Sequence, residues 1–238
     1  MTTRTPDRSR TARVVEITVG DSPDSWAAAG FIVVDGKIRI GDTTFRLTGS
    51  DATRGITGWT IAGVVDPGTG TLDGIPTQFV DVAQDSRVQT STLEARPAAP
   101  PHPNGTVGLD HVVITTPDLD RTIDAFRDLQ LPHRRIRDVG NGADALRQAF
   151  IRIGTLIVEV VGPAVGSGES AEVAPAGWFG IAIDVDDLDV TAAFLGDGIG
   201  RIKPAVQTGR RIGTVRHRSF DISTAIAAMD HRAAQAPG

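Results

Sequence analysis

The fold is decided by the stretch Leu109-Asp-His-Val-Val-Ile-Thr-Thr-Pro-Asp-Leu-Asp120, which joins a strand pattern directly to a helix start. Residues 109–115 are largely apolar and β-branched, and such a run is typical of a strand. Thr116, Pro117 and Asp118 then supply a capping oxygen, a proline for the first helical position and an early carboxylate. The stretch therefore predicts a strand followed at once by a helix.

The same order of elements continues beyond this stretch and then appears a second time. Three strand patterns follow the predicted helix, at 135–139, 146–153 and 155–161. The second copy starts with Ile181-Ala-Ile-Asp-Val-Asp-Asp-Leu-Asp189, and its later elements are a helix at 186–195 and strands at 211–217 and 224–229. Residues 108–162 and 177–231 therefore each predict one βαβββ module.

The N-terminal half contains echoes of these modules. The stretch Lys37–Gly49 aligns without a gap with Phe150–Gly162, and both contain Ile-Arg-Ile-Gly. A second echo pairs Ile61–Asp66 with Ile181–Asp186. Because the echoes occur in the same order, we predict that the two halves are related.

Proline-rich sequence separates the halves. Residues 93–107 contain Pro97, Pro100, Pro101 and Pro103 without helix or strand periodicity, which is typical of a linker. We therefore predict a degenerate N-terminal half at 13–92, a linker at 93–107 and a C-terminal domain at 108–232. A polar break from Pro163 to Ala176 separates the two modules of that domain.

Composition narrows the classes of protein. Hydrophobic residues make up 40% of the 238 and charged residues 22%, as in globular proteins. Cysteine and tyrosine are absent, which excludes disulfides, thiolate metal ligands and nucleophiles of either type. The net charge of -5, with basic residues scattered, argues against a nucleic-acid partner. No apolar run follows the arginines of residues 1–13, so we expect no membrane anchor and a cytoplasmic location.

Two adjacent βαβββ modules resemble the vicinal oxygen chelate superfamily, which includes glyoxalases and bleomycin-resistance proteins. The likeness rests on residues 109–120 and on the matching start at 181–189. It implies an α+β fold in which paired βαβββ modules curl around an open cleft, preceded here by a degenerate N-terminal half. It also implies that the cleft of the C-terminal domain binds a small organic molecule.

In metal-using members of that superfamily, the first and last strands of each module each supply one ligand to a divalent ion. Carried over by position, the first module supplies His111 and Glu159, as metal ligands or catalytic residues. Strand alternation agrees, since His111 shares a face with Val113, and Glu159 shares one with Val161.

The second module does not complete this set. Gly180 and Ala227 stand at the corresponding positions, and neither has a side chain that can bind a metal. Two protein ligands hold an ion weakly, so the site is predicted to be incomplete, with zinc, nickel, iron or manganese as candidate ions. Three roles stay open for His111 and Glu159: a metal site, metal-free ligand binding or proton transfer, and a structural hydrogen-bonded pair.

Four further residues are candidate ligand contacts. Arg147 and Arg152 lie on predicted strands that border the cleft, where they would meet an anionic substrate. Trp178 and Phe179 precede the strand at Ile181 and line either the cleft or the core.

The N-terminal half lacks the corresponding metal ligands. It has Val14 or Val15 in place of His111, and Arg46 in place of Glu159. We therefore predict a packing role for this half, either by adding its strands to the other half or by forming the surface of a homodimer.

Two functions remain open from the sequence. One is a glyoxalase-like protein that binds a small organic molecule and has an incomplete metal site. The alternative is a metal-dependent lyase, isomerase or dioxygenase, in which the metal acts as a Lewis acid and Glu159 is a ligand or base.

Overall fold

The computed structural model describes residues 12–49, 53–64, 70–81, 101–142, 145–164 and 174–231. Its strands are β1 (Arg13–Val19), β2 (Lys37–Ile40), β3 (Thr43–Leu47), β4 (Ile56–Ala62), β5 (Thr71–Leu72), β6 (Ile75–Val80), β7 (Thr106–Thr115), β8 (His133–Val139), β9 (Leu146–Ile153), β10 (Leu156–Pro163), β11 (Gly177–Val185), β12 (Lys203–Pro204), β13 (Arg211–Val215) and β14 (Ala225–Asp230). Its helices are α1 (Pro23–Ala28), α2 (Leu119–Asp128) and α3 (Leu188–Leu195). The predicted α+β class is confirmed.

Both predicted βαβββ modules are present. The first is formed by β7, α2, β8, β9 and β10, and the second by β11, α3, β12, β13 and β14. Among the described residues of the N-terminal half, β1, α1, β2 and β3 are followed by β4, β5 and β6. That this half is a degenerate copy of the modules stays a prediction.

The described residues form two compact units. The first unit lies within 1–15, 58–96 and 113–178, and the second within 16–57, 97–112 and 179–238. Each unit thus combines part of the N-terminal half with most of one C-terminal module, and residues 106–112 of β7, from the first module, belong to the second unit. The domain boundaries predicted from the sequence separate segments that resemble one another in sequence. The two units instead group residues that contact one another in the folded chain.

In the first unit, β8, β9 and β10 form an antiparallel run with β9 in the middle. Strand β4 pairs in parallel with β6, which pairs with β5 in the antiparallel sense. Helix α2 packs against β8, β9 and β10. Its buried side chains include Leu119, Ile123 and Phe126.

In the second unit, the strand order includes β12, β13, β14, β11 and β7. Strand β13 is antiparallel to both of its neighbours, and β14 is parallel to β11. Strand β3 pairs with β2 in the antiparallel sense and with β1 in the parallel sense. Helix α3 packs against β13 and β14.

Aspartate caps set the start of both module helices. The side chain of Asp118 accepts from the backbone N of Arg121 at 3.0 Å, and α2 begins one residue after it. Pro117 therefore precedes the cap, and the prediction that it occupies the first helical position is wrong, because the extended backbone of Asp118 makes it the capping residue. Asp187 caps α3 in the same way, so that helix begins at Leu188 rather than at 186.

Each unit has a tryptophan in its core. Trp26 is fully buried in the second unit, with ring centroids 5.1 Å from Phe31 and 5.8 Å from Phe45. Trp59 is buried in the first unit, 6.4 Å from Phe126. The Trp26 pairs are tilted and the Trp59–Phe126 pair is edge-on, and aromatic contacts of these kinds add to the stabilisation from burial alone.

The described end of the predicted linker is bound to the second unit. Nδ1 of His102 accepts from the backbone N of Ile32 at 3.0 Å, and Nε2 donates to the carbonyl of Arg39 at 2.9 Å. The side chain of Asn104 donates to the carbonyl of Ala29 at 2.9 Å. The linker prediction for 93–100 lies outside the described residues, whereas residues 101–106 form a hydrogen-bonded segment that leads into β7.

Candidate functional site

His111 is held by its sequence neighbour on β7. Its Nδ1 lies 2.7 Å from Oδ2 of Asp110, and the two side chains are only 15% and 8% exposed. An ionised carboxylate can only accept hydrogen bonds, so this contact places the proton of a neutral imidazole on Nδ1. Asp110 therefore sets both the orientation and the tautomer of His111.

Asp110 also pairs with Arg210, in the turn before β13. Nη1 of Arg210 donates to Oδ1 of Asp110 at 2.6 Å, and Nη2 donates to Oδ1 of Asp184. Nε donates to the carbonyl of Asp230 at 2.7 Å, and the whole side chain is only 6% exposed. We refer to Asp110, His111, Asp184 and Arg210 as the Arg210 cluster. All four residues belong to the second unit.

The two carboxylates of this cluster have opposite pKa shifts. Burial opposes the ionisation of Asp110, but the hydrogen bonds from His111 and Arg210 and the charge of the Arg210 guanidinium outweigh it and lower its pKa to about 2. Burial and the negative charge of Asp110 raise the pKa of Asp184, against the effect of Arg210. The positive charge of Arg210 therefore offsets the negative charge of Asp110 more fully than that of Asp184.

His231 lies at the solvent edge of the cluster. Its Nδ1 is 3.7 Å from Oδ2 of Asp184, which is an electrostatic contact rather than a hydrogen bond. The side chain of His231 is about half exposed.

Glu159 lies in the middle of β10, in the first unit. Residues of β10 alternate between buried and half-buried, and Glu159 is on the half-buried face with Ile157 and Val161, as predicted. Its partner across the sheet is Phe150, which in turn pairs with Arg135 on β8. The hollow that His111 and Glu159 are expected to share stays a prediction.

The two candidate arginines lie on opposite faces of β9. Arg152 pairs with Ile157, which puts it on the face of Glu159, and it donates to the carbonyl of Gly154 at 2.9 Å. Arg147 instead donates to both carboxylate oxygens of Asp120, at 3.2 Å each, beside the start of α2. Because side chains alternate along a strand, only Arg152 shares the face of Glu159.

Trp178 and Phe179 also differ in their surroundings. The ring of Trp178 packs edge-on against Trp59, with centroids 5.0 Å apart, so it is a core contact of the first unit. Phe179 belongs to the second unit and is 61% exposed. Of these two candidates, Phe179 is the one with a surface available to a ligand.

The second-module positions provide no metal ligand. Gly180 pairs with Ala225 of β14, and a Cβ on Gly180 would collide with the carbonyl oxygen of Ala225. Ala227 lies between Ala182 of β11 and Thr214 of β13. The backbone of β14 thus excludes any larger residue at Gly180 without local rearrangement.

The surroundings of His111 do not suit a divalent ion. Within the described ranges, no group of three or more His, Asp or Glu side chains is arranged to hold a metal. In the Arg210 cluster, the guanidinium binds both Asp110 and Asp184 and is held among them at hydrogen-bond distance. The positive charge that these carboxylates require is supplied by a side chain of the protein.

In the N-terminal half, the position that the sequence alignment matches to Glu159 carries an ion pair. Nε of Arg46 donates to Glu16 at 2.9 Å, and Nη2 donates to the hydroxyl of Thr18 at 2.8 Å. Val14 is buried. Arg46 and Val14 therefore do not form a pair of metal-binding side chains.

Sequence reasoning identified His111 but missed its partners. Asp110 was visible as its neighbour in the key stretch, and Asp184 lies in the echo of that stretch in the second module. Arg210 had no comparable signal, because it lies in a short turn 100 residues from Asp110. Only the pairing of β7, β11, β14 and β13 brings the three together.

Comparison with known proteins finds likeness in structure alone. No family model and no curated protein matches the sequence. Solved structures that resemble nearly the whole chain include a mutant of 4-hydroxymandelate synthase from Streptomyces coelicolor, with TM-score 0.58, 13% identity, and coverage of 95% of this chain and 94% of that one.

Two dioxygenases resemble the chain to a similar degree. Homoprotocatechuate 2,3-dioxygenase from Arthrobacter globiformis has a TM-score of 0.54 at 13% identity, over 100% of this chain and 85% of that one. An extradiol ring-cleaving dioxygenase from B. fuscum has a TM-score of 0.53 at 13% identity, over 92% and 71%. None of the described helices has the length and apolar character needed to cross a membrane. The paired βαβββ modules and these likenesses over almost the entire chain show that the protein has the vicinal oxygen chelate fold.

Proposed function

We propose that this protein binds a small organic molecule without a resident metal ion, and that His111 is one of the residues that contact the ligand. The proposal rests mainly on the imidazole of His111, which Asp110 holds at 2.7 Å in one tautomer on the partly exposed side of β7. A ligand gains affinity when the groups that bind it are already ordered, because less conformational entropy is lost on binding.

The hydrogen bonding of His111 indicates the ligand chemistry. With its proton on Nδ1, a neutral imidazole presents Nε2 as an acceptor. Such an atom suits a ligand hydroxyl or protonated amine. The cluster supplies two carboxylates for one guanidinium, so it favours a hydrogen-bond donor over an anion.

The surroundings of the other candidate residues support ligand binding for some of them and structural roles for others. Glu159 and Arg152 share one face in the first unit, and Phe179 is exposed in the second, so these three stay proposed ligand contacts. Arg147 pairs with Asp120, and Trp178 packs on Trp59, and these contacts favour structural roles for both. Cytoplasmic location and a homodimer stay predictions.

The alternative is a metal-dependent lyase, isomerase or dioxygenase. The fold likeness to two dioxygenases over most of the chain favours it. His111 and Glu159 would then be the protein ligands, and the metal would polarise a pair of substrate oxygens. Against this alternative stand the missing ligands at Gly180 and Ala227 and the guanidinium of Arg210, which is bound to Asp110, the sequence neighbour of His111.

Metal analysis separates these two functions. Protein purified without chelator is assayed for zinc, nickel, iron and manganese, alongside His111→Ala and the control His133→Ala. We expect substoichiometric metal that neither substitution changes. Stoichiometric metal that is lost only in His111→Ala would overturn the proposal in favour of the metal enzyme.

Ligand binding is tested directly with small phenols, aromatic acids and amines, detected by saturation-transfer NMR. We expect saturable binding of hydroxyl- or amine-bearing fragments to the wild type and to His133→Ala, and its loss in His111→Ala. Equal binding to all three proteins would contradict the role of His111, and no binding to the wild type would contradict the function itself.

A further inference from the structure

Helix α2 covers one face of β8, β9 and β10, and the opposite face of this sheet carries a group of charged, polar and aromatic side chains. Across the two strands, Arg135 pairs with Phe150, and Arg137 pairs with Gln148. Residues that pair across neighbouring strands point to the same side of a sheet, so these four side chains lie together. We refer to Arg135, Arg137, Gln148 and Phe150 as the Arg137 face. All four belong to the first unit.

The guanidinium groups on this side of the sheet are bound to uncharged oxygen atoms. Nε of Arg137 donates to Oε1 of Gln148 at 3.0 Å, and Nη2 donates to the same atom. Arg152, further along β9, donates to a backbone carbonyl. On the side that α2 covers, Arg147 pairs instead with the carboxylate of Asp120. Gln148 therefore orders Arg137 without neutralising its charge.

The contact with Gln148 uses only part of the guanidinium of Arg137. A guanidinium has five N–H donors, and the amide oxygen accepts from those on Nε and Nη2. The donors that point away from Gln148 lie at the ends of Nη1 and Nη2, where an arginine grips a carboxylate through two parallel hydrogen bonds. Because the amide already orders the side chain, less conformational entropy is lost when an anion binds there.

Phe150 supplies an apolar surface beside this charge. Cζ of Arg137 lies over its half-buried ring, 6.0 Å from the centroid. On the other side of Phe150, its partner on β10 is Glu159. The order Arg135, Phe150, Glu159 across three strands directs an anion to the β8 side, because the carboxylate of Glu159 repels it on the β10 side.

Arg135 adds a second positive charge next to Arg137. Residues two apart on a strand share a face and lie about 7 Å from each other. Like charges at this separation repel each other, and an anion between them removes that repulsion. The exposed side chain of Arg135 and the half-buried one of Arg137 are therefore complementary to one negatively charged group.

We infer that the Arg137 face is a binding site for an organic carboxylate, in which the acid group bridges Arg135 and Arg137 and the apolar body of the molecule lies on Phe150. The inference goes beyond the proposed function, because it makes no use of His111 or of the Arg210 cluster. A small anion without an apolar body would meet the arginines but gain nothing from the ring. The site therefore favours a carboxylate that carries an apolar group.

The test titrates benzoate into the wild type, Arg137→Met and Arg147→Met, and follows binding in ¹⁵N–¹H NMR spectra of the protein. The control, Arg147→Met, removes the same charge from the opposite face of β9. We expect Arg137→Met to bind benzoate at least about tenfold more weakly than the wild type, because hydrogen bonds to a charged group are lost. Arg147→Met should bind as the wild type does. No saturable binding to the wild type, unchanged binding to Arg137→Met, or equal weakening in both variants would overturn the inference.

Two further probes separate the parts of the ligand. Benzamide has the ring without the charge and should bind at least about tenfold more weakly than benzoate. Acetate has the charge without the ring and should also bind more weakly, because less apolar surface is buried. Benzamide that binds as tightly as benzoate would refute the role of the arginines, and acetate that does so would refute the role of Phe150.

Gln148→Glu covers the case in which Arg137→Met does not fold. The substitution keeps the size of the side chain and leaves Arg137 in place, but the new carboxylate pairs with the guanidinium and repels benzoate. We expect at least about tenfold weaker binding, and binding equal to that of the wild type would overturn the inference. His111→Ala should bind benzoate as the wild type does, and loss of benzoate binding in this variant would also overturn it. The proposed function, which is tested with hydroxyl- or amine-bearing fragments, and this inference therefore fail separately.

Discussion

Oδ2 of Asp110 lies 2.7 Å from Nδ1 of His111, and Oδ1 of the same carboxylate lies 2.6 Å from Nη1 of Arg210. Asp110 is therefore the residue that connects the histidine predicted from the sequence with the arginine revealed by the fold. Its two oxygens have different partners, since Oδ2 orients the imidazole of His111 and Oδ1 accepts a hydrogen bond from the charged guanidinium of Arg210.

Replacing Asp110 by Asn is expected to change the tautomer of His111. A neutral amide no longer requires a donor at Nδ1, so the population with the proton on Nε2 should rise. Long-range ¹⁵N–¹H NMR spectra report the two nitrogens separately. His217, whose Nδ1 faces the carbonyl of Ile222 at 2.7 Å, serves as an internal reference. An unchanged His111 pattern in Asp110→Asn would show that Asp110 does not set the tautomer.

The acid dependence of stability should distinguish Asp110 from Asp184. The pKa of Asp110 falls from 3.8 to about 2 on folding, which corresponds to about 2 kcal/mol of stability above pH 3.8. That contribution is lost as the pH falls from 3.8 towards 2. The pKa of Asp184 is raised on folding, so its ionisation reduces stability as the pH rises through the folded pKa.

At pH 7 we therefore expect Asp110→Asn to lower the free energy of unfolding more than Asp184→Asn does. The difference between the two losses of unfolding free energy should narrow as the pH approaches 3, because the ionised form of Asp110 contributes less stability there. Urea unfolding at pH 7, 5 and 3 measures both effects. Equal losses for the two variants at pH 7 would contradict the opposite pKa shifts.

His102 is expected to make the fold sensitive to mild acid. Burial lowers the pKa of His102 below 6.5, against the bond to the carbonyl of Arg39. The unfolded chain therefore binds a proton more readily, and stability falls as the pH drops below about 6.5. His102→Gln should cost about 1–3 kcal/mol at pH 7 through lost hydrogen bonds. The variant should also lose less stability than the wild type between pH 7 and 5. An equal loss of unfolding free energy in both proteins would exclude His102 as the cause of the acid sensitivity.

Gly180 is expected to reject even a methyl group. A Cβ there collides with the carbonyl of Ala225, so Gly180→Ala should cost about 1–3 kcal/mol by overpacking. Gly177→Ala, on the same strand, is the matched control, because its Cβ would meet nothing within 4 Å. Thermal unfolding of the two variants compares them. A Gly180→Ala protein as stable as Gly177→Ala would show that β14 moves away from the added methyl group at little cost in stability.

Asp21 is a buried acceptor in the second unit. It is fully buried and accepts from the backbone N atoms of Gly55 and Ser223, at 3.2 and 3.1 Å. Asp21→Ala should cost about 1–3 kcal/mol for each donor left unsatisfied. Asp221→Asn is the control, because asparagine tolerates the positive φ of this residue, and its exposed ion pair with Arg54 should contribute less than about 1 kcal/mol. Urea unfolding that ranks the two variants equally would contradict this difference.

The sequence by itself determined the modules. The strand pattern and capping residues of 109–120, repeated at 181–189, predicted both βαβββ units and the α+β class, because helix caps and strand alternation are local properties of the chain. Local rules also predicted the faces of Glu159 and its neighbours on β10. Even the exception, Pro117, is a shift of two positions at a helix start.

Only the tertiary structure decided which charges meet. Asp110, Asp184 and Arg210 lie in separate segments, and strand pairing across the second unit brings them together. Tertiary structure also decided that Arg147 and Arg152 face opposite sides of β9 and that β14 excludes a side chain at Gly180. Such contacts depend on strand register and turn geometry between distant residues, which composition and periodicity do not encode.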